Sequence, residues 1–171
     1  LRHCAMLEES DFHDIKVSIK ASDVQTTVHA NRLIAAQTDY PLHVGITEAG
    51  PRLGGIVKSS VGIGALLLDG IGDTIRVSLT APPEEEIRVA IRLLEAVGLR
   101  ESHPEIVSCP TCGRCGIDLI QLVERFEDEI EAIKRTGRYI NLRKVAIMGC
   151  VVNGPGEARD ADIGIACEPG G

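Results

Sequence analysis

Six cysteines stand at positions 4, 109, 112, 115, 150 and 167. The run CPTCGRC leaves two residues between Cys109 and Cys112 and two between Cys112 and Cys115, and Cys150 opens the string CVVNGPGE. Thiolates spaced in this way on one turn can reach a single metal ion or cluster. A reduced structural pair, a disulfide, a zinc site and an iron–sulfur cluster would all use these groups. Disulfides belong to exported chains, and no basic start, apolar stretch and small-residue cleavage site are combined at this N-terminus. The proline after Cys109 and the turn rich in backbone N–H groups after Cys150 suit a partly exposed cluster whose sulfides accept hydrogen bonds. Cys4 and Cys167 read as packing cysteines.

A second set of chemical groups is charged. Lys20, Glu48 and Arg76 recur 28 residues apart, near the ends of three aliphatic stretches. In parallel α/β folds such places are the C-terminal strand ends, where sites are built. The alternative is an internal layer of salt bridges. His43 reads as a satisfied core histidine. The glycines of VGIGALLLDG and DGIGD do not complete a dinucleotide fingerprint at a strand-to-helix turn, which excludes NAD binding.

The elements that must hold these groups follow from a repeated pattern. HDIKVSIKA (13–21), PLHVGITEA (41–49) and DTIRVSLTA (73–81) each read as a strand followed by a turn and a helical stretch, SDVQTTVHANRLIAAQ, VKSSVGIGALLLDG and PEEEIRVAIRLLEAVG in turn. Ser22 or Asp23 can cap the first helix, Pro83 with three glutamates starts the third, and Gly70 and Gly98 read as C-terminal stops. Alternating strands and helices imply parallel pairing with right-handed crossovers. Each strand has an aliphatic face, such as Ile15, Val17 and Ile19, and a polar face, such as Lys16, Ser18 and Lys20. The polar faces suit a barrel interior, and three units are too few to close a ring of eight strands. Residues 1–103 therefore read as the last part of a (β/α)8 barrel. Glu48 falls on the aliphatic parity of its strand, so the turn after Thr47 must rotate it toward any shared site.

Past Gly98 the stretch LRESHPE marks a boundary near residues 100–106. Beyond it come a short strand (105–108), the cysteine run, an amphipathic acidic helix (117–135), a strand (144–148), the GCVVNGPGEA loop and a last strand (162–166). Residues 104–171 read as a small α+β domain built around a bound group. In the whole 171 residues, hydrophobic side chains make up 44% but only two Tyr and two Phe occur, so the core is aliphatic. The formal charge of -7 comes with no basic block, which argues against nucleic-acid binding. No apolar run approaches the roughly 18 residues of a membrane span. The chain reads as soluble and cytoplasmic. Its start at Leu1 and stop at Gly170-Gly171 suggest a piece of a longer protein.

The strings KVSIKASD, PLHVGITEAG, VKSSVGIGALLLDGIGDTIRVSLTA, CPTC and GCVVNGPGEA together resemble the 4-hydroxy-3-methylbut-2-enyl diphosphate synthase family, in order and over almost the whole chain. The resemblance implies a bacterial cytoplasmic iron–sulfur oxidoreductase of isoprenoid biosynthesis. A barrel would bind 2-C-methyl-D-erythritol 2,4-cyclodiphosphate, and a C-terminal domain similar to part of sulfite reductase would hold a [4Fe-4S] cluster. Flavodoxin or ferredoxin would supply two electrons for ring opening and dehydroxylation. It implies Cys109, Cys112, Cys150 and the carboxylate of Glu157 as cluster ligands, with Asn153 beside the substrate. Lys20, Arg76 and Ser78 would bind the diphosphate, and Glu48 would lie beside the reacting carbons. Cys115 is an addition to that pattern and could compete with Glu157. A head-to-tail homodimer is implied, with one subunit's barrel meeting its partner's cluster domain. The family's upstream barrel segment is absent from these residues, so the chain alone is expected to be inactive. The rival reading is a non-enzymatic zinc module on a barrel remnant.

Overall fold

The computed structural model describes residues 1–101, 104–152 and 154–167, the side chain of Glu157 excepted. The chain divides into two compact units, Leu1–Arg100 and Glu101–Gly171. Among the described residues no helix is long and apolar enough to cross a membrane.

The first unit runs α1 (Arg2–Glu8), α2 (Val24–Ala35), β1 (His43–Gly45), α3 (Arg52–Leu68), β2 (Thr74–Arg76) and α4 (Pro83–Ala96). Asp23 caps α2 by accepting from the Thr26 amide at 2.7 Å, and Pro83 opens α4. Gly70 and Gly98 follow the C-caps of α3 and α4 with φ of +74°, the left-handed conformation that ends a helix at little cost for glycine. Strands β1 and β2 pair in parallel, with Val44 opposite Ile75. Their aliphatic sides and the three longer helices enclose one core of Val28, Leu42, Val44, Ile63, Leu66, Leu67, Val77 and Leu93. At Gly62, a Cβ would stand 2.5 Å from Ile46 Cδ1, so glycine lets α3 lie this close to the segment leaving β1 without displacing the Ile46 side chain.

Three expectations are corrected. Residues 13–21 do not form a full strand; they run beside β1 through one parallel bridge, Val17 to Leu42. The reason lies in α2. The next acceptor along that ladder, the Ile19 carbonyl, takes a 3.0 Å hydrogen bond from the buried Asn31 Nδ2 instead. The other two strands are three residues each rather than nine, since beyond β2 the Leu79 amide turns to Glu86 Oε1 at 2.7 Å. Helix α3 begins at Arg52, ahead of the expected VKSS start, with Pro51 as its N-cap.

The second unit comprises β3 (Glu105–Ser108), α5 (Leu119–Arg135), β4 (Lys144–Met148), α6 (Gly154–Glu157) and β5 (Ile163–Ala166). All three strands are parallel, in the order β3-β4-β5. Asp118 caps α5 by accepting from the Gln121 amide at 3.1 Å. The amphipathic helix buries Leu119 against Val145 and Ile147, with Phe126, Leu122 and Val123 around them. The short helix α6 falls inside the stretch read from sequence as loop. Its start is close to the sheet: a Cβ on Gly154 would stand 2.8 Å from that of Ala166.

Candidate functional site

In the first unit, chemistry gathers on the polar side of the parallel segments. The register sets it out in layers. Val17 pairs with Leu42, and Gly45 with Arg76. Counting along those pairings puts Ser18, His43 and Thr74 in one layer and Lys20, Gly45 and Arg76 in the next. Gly45 leaves that second layer open at its centre. The Lys20 Cε lies 3.5 Å from where a Gly45 Cβ would be, so the lysine stem crosses the gap toward β2. Ser78 follows Arg76 by two residues, past the end of β2, and is half-buried.

Burial first, then Arg76 and Lys16, hold the Lys20 ammonium below its ordinary pKa. His43 is held below the ordinary histidine value by burial and then by Lys20, Lys16 and Arg76. Like charges are thus crowded on one face. Among the described residues, Lys16, Lys20 and Arg76 form no ion pair with a carboxylate. A concentration of unpaired cations is what a multiply charged anion requires.

The even spacing of Lys20, Glu48 and Arg76 does not reflect shared register. The paired residues are 25 apart from Val17 to Leu42 and 31 apart from Gly45 to Arg76, so Glu48 lies beyond the layer and Gly45 occupies it. Glu48 is exposed and has φ of +51°, a left-handed backbone in the turn after Thr47. His43 is not a core residue either. It is half-buried, and its Nδ1 is 2.8 Å from Thr74 Oγ1. Parity along β1 places it on the polar side with Gly45 and Thr47, and this was the available signal.

In the second unit, Cys109 follows the last residue of β3, Cys150 lies two residues past β4 and Cys167 follows β5. All three stand at the C-terminal edge of one parallel sheet. Cys167, read from sequence as a packing residue only, joins this edge because its amide bonds to the Met148 carbonyl at 3.0 Å. Gly149 is the centre of the loop packing. Its amide donates to Cys109 Sγ at 3.3 Å, and a Cβ there would collide with Cys115 Sγ. Cys115 in turn donates to the Ile117 carbonyl at 3.3 Å and borders the apolar core. Cys112 is exposed, and hydrogen bonds from Arg114 lower its thiol pKa.

Among the described residues, no three His, Cys, Asp or Glu side chains converge to hold a metal ion. Asn153 and the side chain of Glu157 lie outside the described residues. The donor set itself suits a sulfur-rich cluster. Thiols leave the ends of neighbouring parallel strands, and one already accepts a backbone N–H, the interaction that tunes a thiolate ligand.

Comparison with known proteins gives two adjacent matches. Residues 1–91 match the family described as GcpE TIM-barrel domain, and residues 105–171 match that described as GcpE protein C-terminal domain. A 4-hydroxy-3-methylbut-2-en-1-yl diphosphate synthase (flavodoxin) of Thermodesulfovibrio yellowstonii is 57% identical over 165 residues, covering 96% of this chain and 46% of the relative. The enzyme of the same name from Geobacter sulfurreducens is 55% identical over 166 residues, with 97% of this chain and 45% of the relative covered. A Streptomyces avermitilis relative, numbered 2 under that name, is 56% identical over 166 residues, at 97% and 42%. The chain therefore spans less than half the length of these curated relatives.

Proposed function

The chain belongs to the GcpE family, and on that premise we propose that it supplies the last barrel units and the cluster domain of a 4-hydroxy-3-methylbut-2-enyl diphosphate synthase. The substrate is 2-C-methyl-D-erythritol 2,4-cyclodiphosphate. Two electrons enter, the C–O bond closing the cyclic diphosphate breaks, and a hydroxyl leaves as water to give the linear allylic diphosphate. The relatives' names carry flavodoxin, which supports a flavodoxin-type electron donor. The setting is the bacterial cytoplasm. The working form is a head-to-tail homodimer, and the cluster domain is similar in fold to part of sulfite reductase.

Lys20 and Arg76 neutralise the diphosphate at close range, with Ser78 as a hydroxyl donor. Their crowding in the free protein is relieved when the anion arrives. Glu48 delivers or accepts a proton beside the reacting carbons, its carboxylate exposed on the turn after Thr47. Cys109, Cys112 and Cys150 hold a [4Fe-4S] cluster, with the Glu157 carboxylate as the fourth ligand. When bound, that cluster supplies the electrons and, at the iron not held by thiolate, a Lewis acid for a substrate oxygen. Cys115 keeps its bond to the Ile117 carbonyl and is not a ligand. Asn153 stands beside the substrate.

The observation that carries this reading is the open layer of Lys20, Gly45 and Arg76, where among the described residues no carboxylate pairs with either cation. Equilibrium dialysis of the chain against 2-C-methyl-D-erythritol 2,4-cyclodiphosphate tests it. Saturable binding lost in both Lys20→Ala and Arg76→Ala is the expected result; binding unchanged in either variant contradicts it.

A further inference from the structure

We propose that His43 is a further residue of the anion site, donating from its ring to a phosphate group held between Lys20 and Arg76 and taking up a proton as the anion binds. This rests on the reading of the site given above and adds to it a residue and a coupled proton. The placement comes from the parallel register. His43 stands one layer below the gap at Gly45, on the same side of the sheet, opposite Thr74. The layer between the two cations holds no side chain of its own, because a Cβ at Gly45 would press the Arg76 carbonyl at 2.5 Å. An anion resting there therefore meets the layer beneath.

The imidazole is set up to respond. Its Nδ1 is engaged by Thr74 Oγ1 at 2.8 Å, which fixes the ring and leaves Nε2 for a ligand. The Ser18 hydroxyl is turned to the His43 carbonyl at 2.9 Å and does not compete for the ring. The charged groups facing it are Lys16 and Lys20 from the segment before α2 and Arg76 from β2. Asp73, beside Thr74, directs its carboxylate to the Leu42 amide at 2.7 Å. In the free protein, burial and these three cations oppose protonation of His43. A multiply charged phosphate among them reverses the local potential, and the imidazolium then becomes a charge-assisted donor. Affinity for the anion thereby gains a component that strengthens as pH falls toward the histidine range.

The test follows the His43 ring by nuclear magnetic resonance across a pH titration of the whole chain, with and without inorganic pyrophosphate. The His43 signal is assigned by its loss in His43→Gln and again in His43→Asn. Pyrophosphate should raise the midpoint by roughly one pH unit, about a tenfold change in proton affinity. In both variants pyrophosphate should bind several-fold more weakly and carry less proton uptake than in the unsubstituted chain. If pyrophosphate binds and the His43 midpoint does not move, His43 is not part of the site, although the Lys20–Arg76 reading survives. If pyrophosphate does not bind the unsubstituted chain at all, both ideas fall together.

Discussion

At Gly149 three separate demands meet: a hydrogen bond to Cys109 Sγ, close contact with Cys115 Sγ and the turn that delivers Cys150. An alanine there forces Cys115 or the loop to move. Gly149→Ala should cost about 1–3 kcal/mol in denaturant unfolding, whereas Cys115→Ser keeps a group able to donate to the Ile117 carbonyl and should cost less. In the first unit, Glu48→Gln in the chain extended to the relatives' length should retain substrate affinity and lose most turnover, because it preserves shape and removes the ionisable group. Lys20→Ala should raise the substrate concentration needed. Equal loss of affinity in both would undo this division of roles. Lys20, Arg76 and the cysteine spacing were legible in the sequence, since charge and thiol chemistry are carried by residue type. The layer was not. Whether Glu48 or Gly45 stands between Lys20 and Arg76 depends on register, and equal spacing along the chain does not specify it.

Among the elements, the segment 13–21 shows how a side chain can decide between ladder and loop. Asn31 on α2 is buried and bonds both the Ile19 and Thr27 carbonyls, at 3.0 and 2.9 Å. Asn31→Ala removes both and should destabilise the first unit by about 1–3 kcal/mol in denaturant. The alternation of polar and apolar residues announced an extended segment correctly; it could not announce that a helix residue would take one of its carbonyls. Helix stops at Gly70 and Gly98 and the three strands of the second unit were readable, because capping and aliphatic runs act locally. In that unit Asp162 accepts from the Lys144 amide at 2.9 Å and the Arg143 amide at 2.6 Å, and these bonds, in that order of effect, hold its carboxyl below the ordinary aspartate value. With the folded pKa depressed, its stabilising effect is complete above the unfolded value of about 4. It is lost as pH falls through the lower, folded value. Asp162→Asn should therefore flatten the acid side of a stability profile measured by denaturant between neutral and acidic pH. An acid limb as steep as in the unsubstituted chain would assign that sensitivity elsewhere.

For the whole molecule, two matched domains and a length below half that of the relatives set the expectation. The polar side of β1 and β2 carries exposed Thr74 and Arg76, and among the described residues the strands pair in a sheet of two with two further bridges, Val17 to Leu42 and Pro51 to Thr80. Such a sheet leaves backbone groups free to pair with other chains. The chain alone should bind a cluster, associate through these edges in light scattering, and show no turnover with a chemical reductant. A cluster held by the second unit would add folding free energy that its small core does not supply. One measurement bears most directly on the cluster assignment: iron, zinc and acid-labile sulfide per chain after anaerobic reconstitution of the unsubstituted protein, Cys109→Ser and Cys115→Ser. Iron and sulfide in equal amounts, about four of each, are expected in the unsubstituted chain and in Cys115→Ser, with loss in Cys109→Ser. Zinc without sulfide, or a cluster that survives Cys109→Ser and disappears in Cys115→Ser, would contradict the assignment.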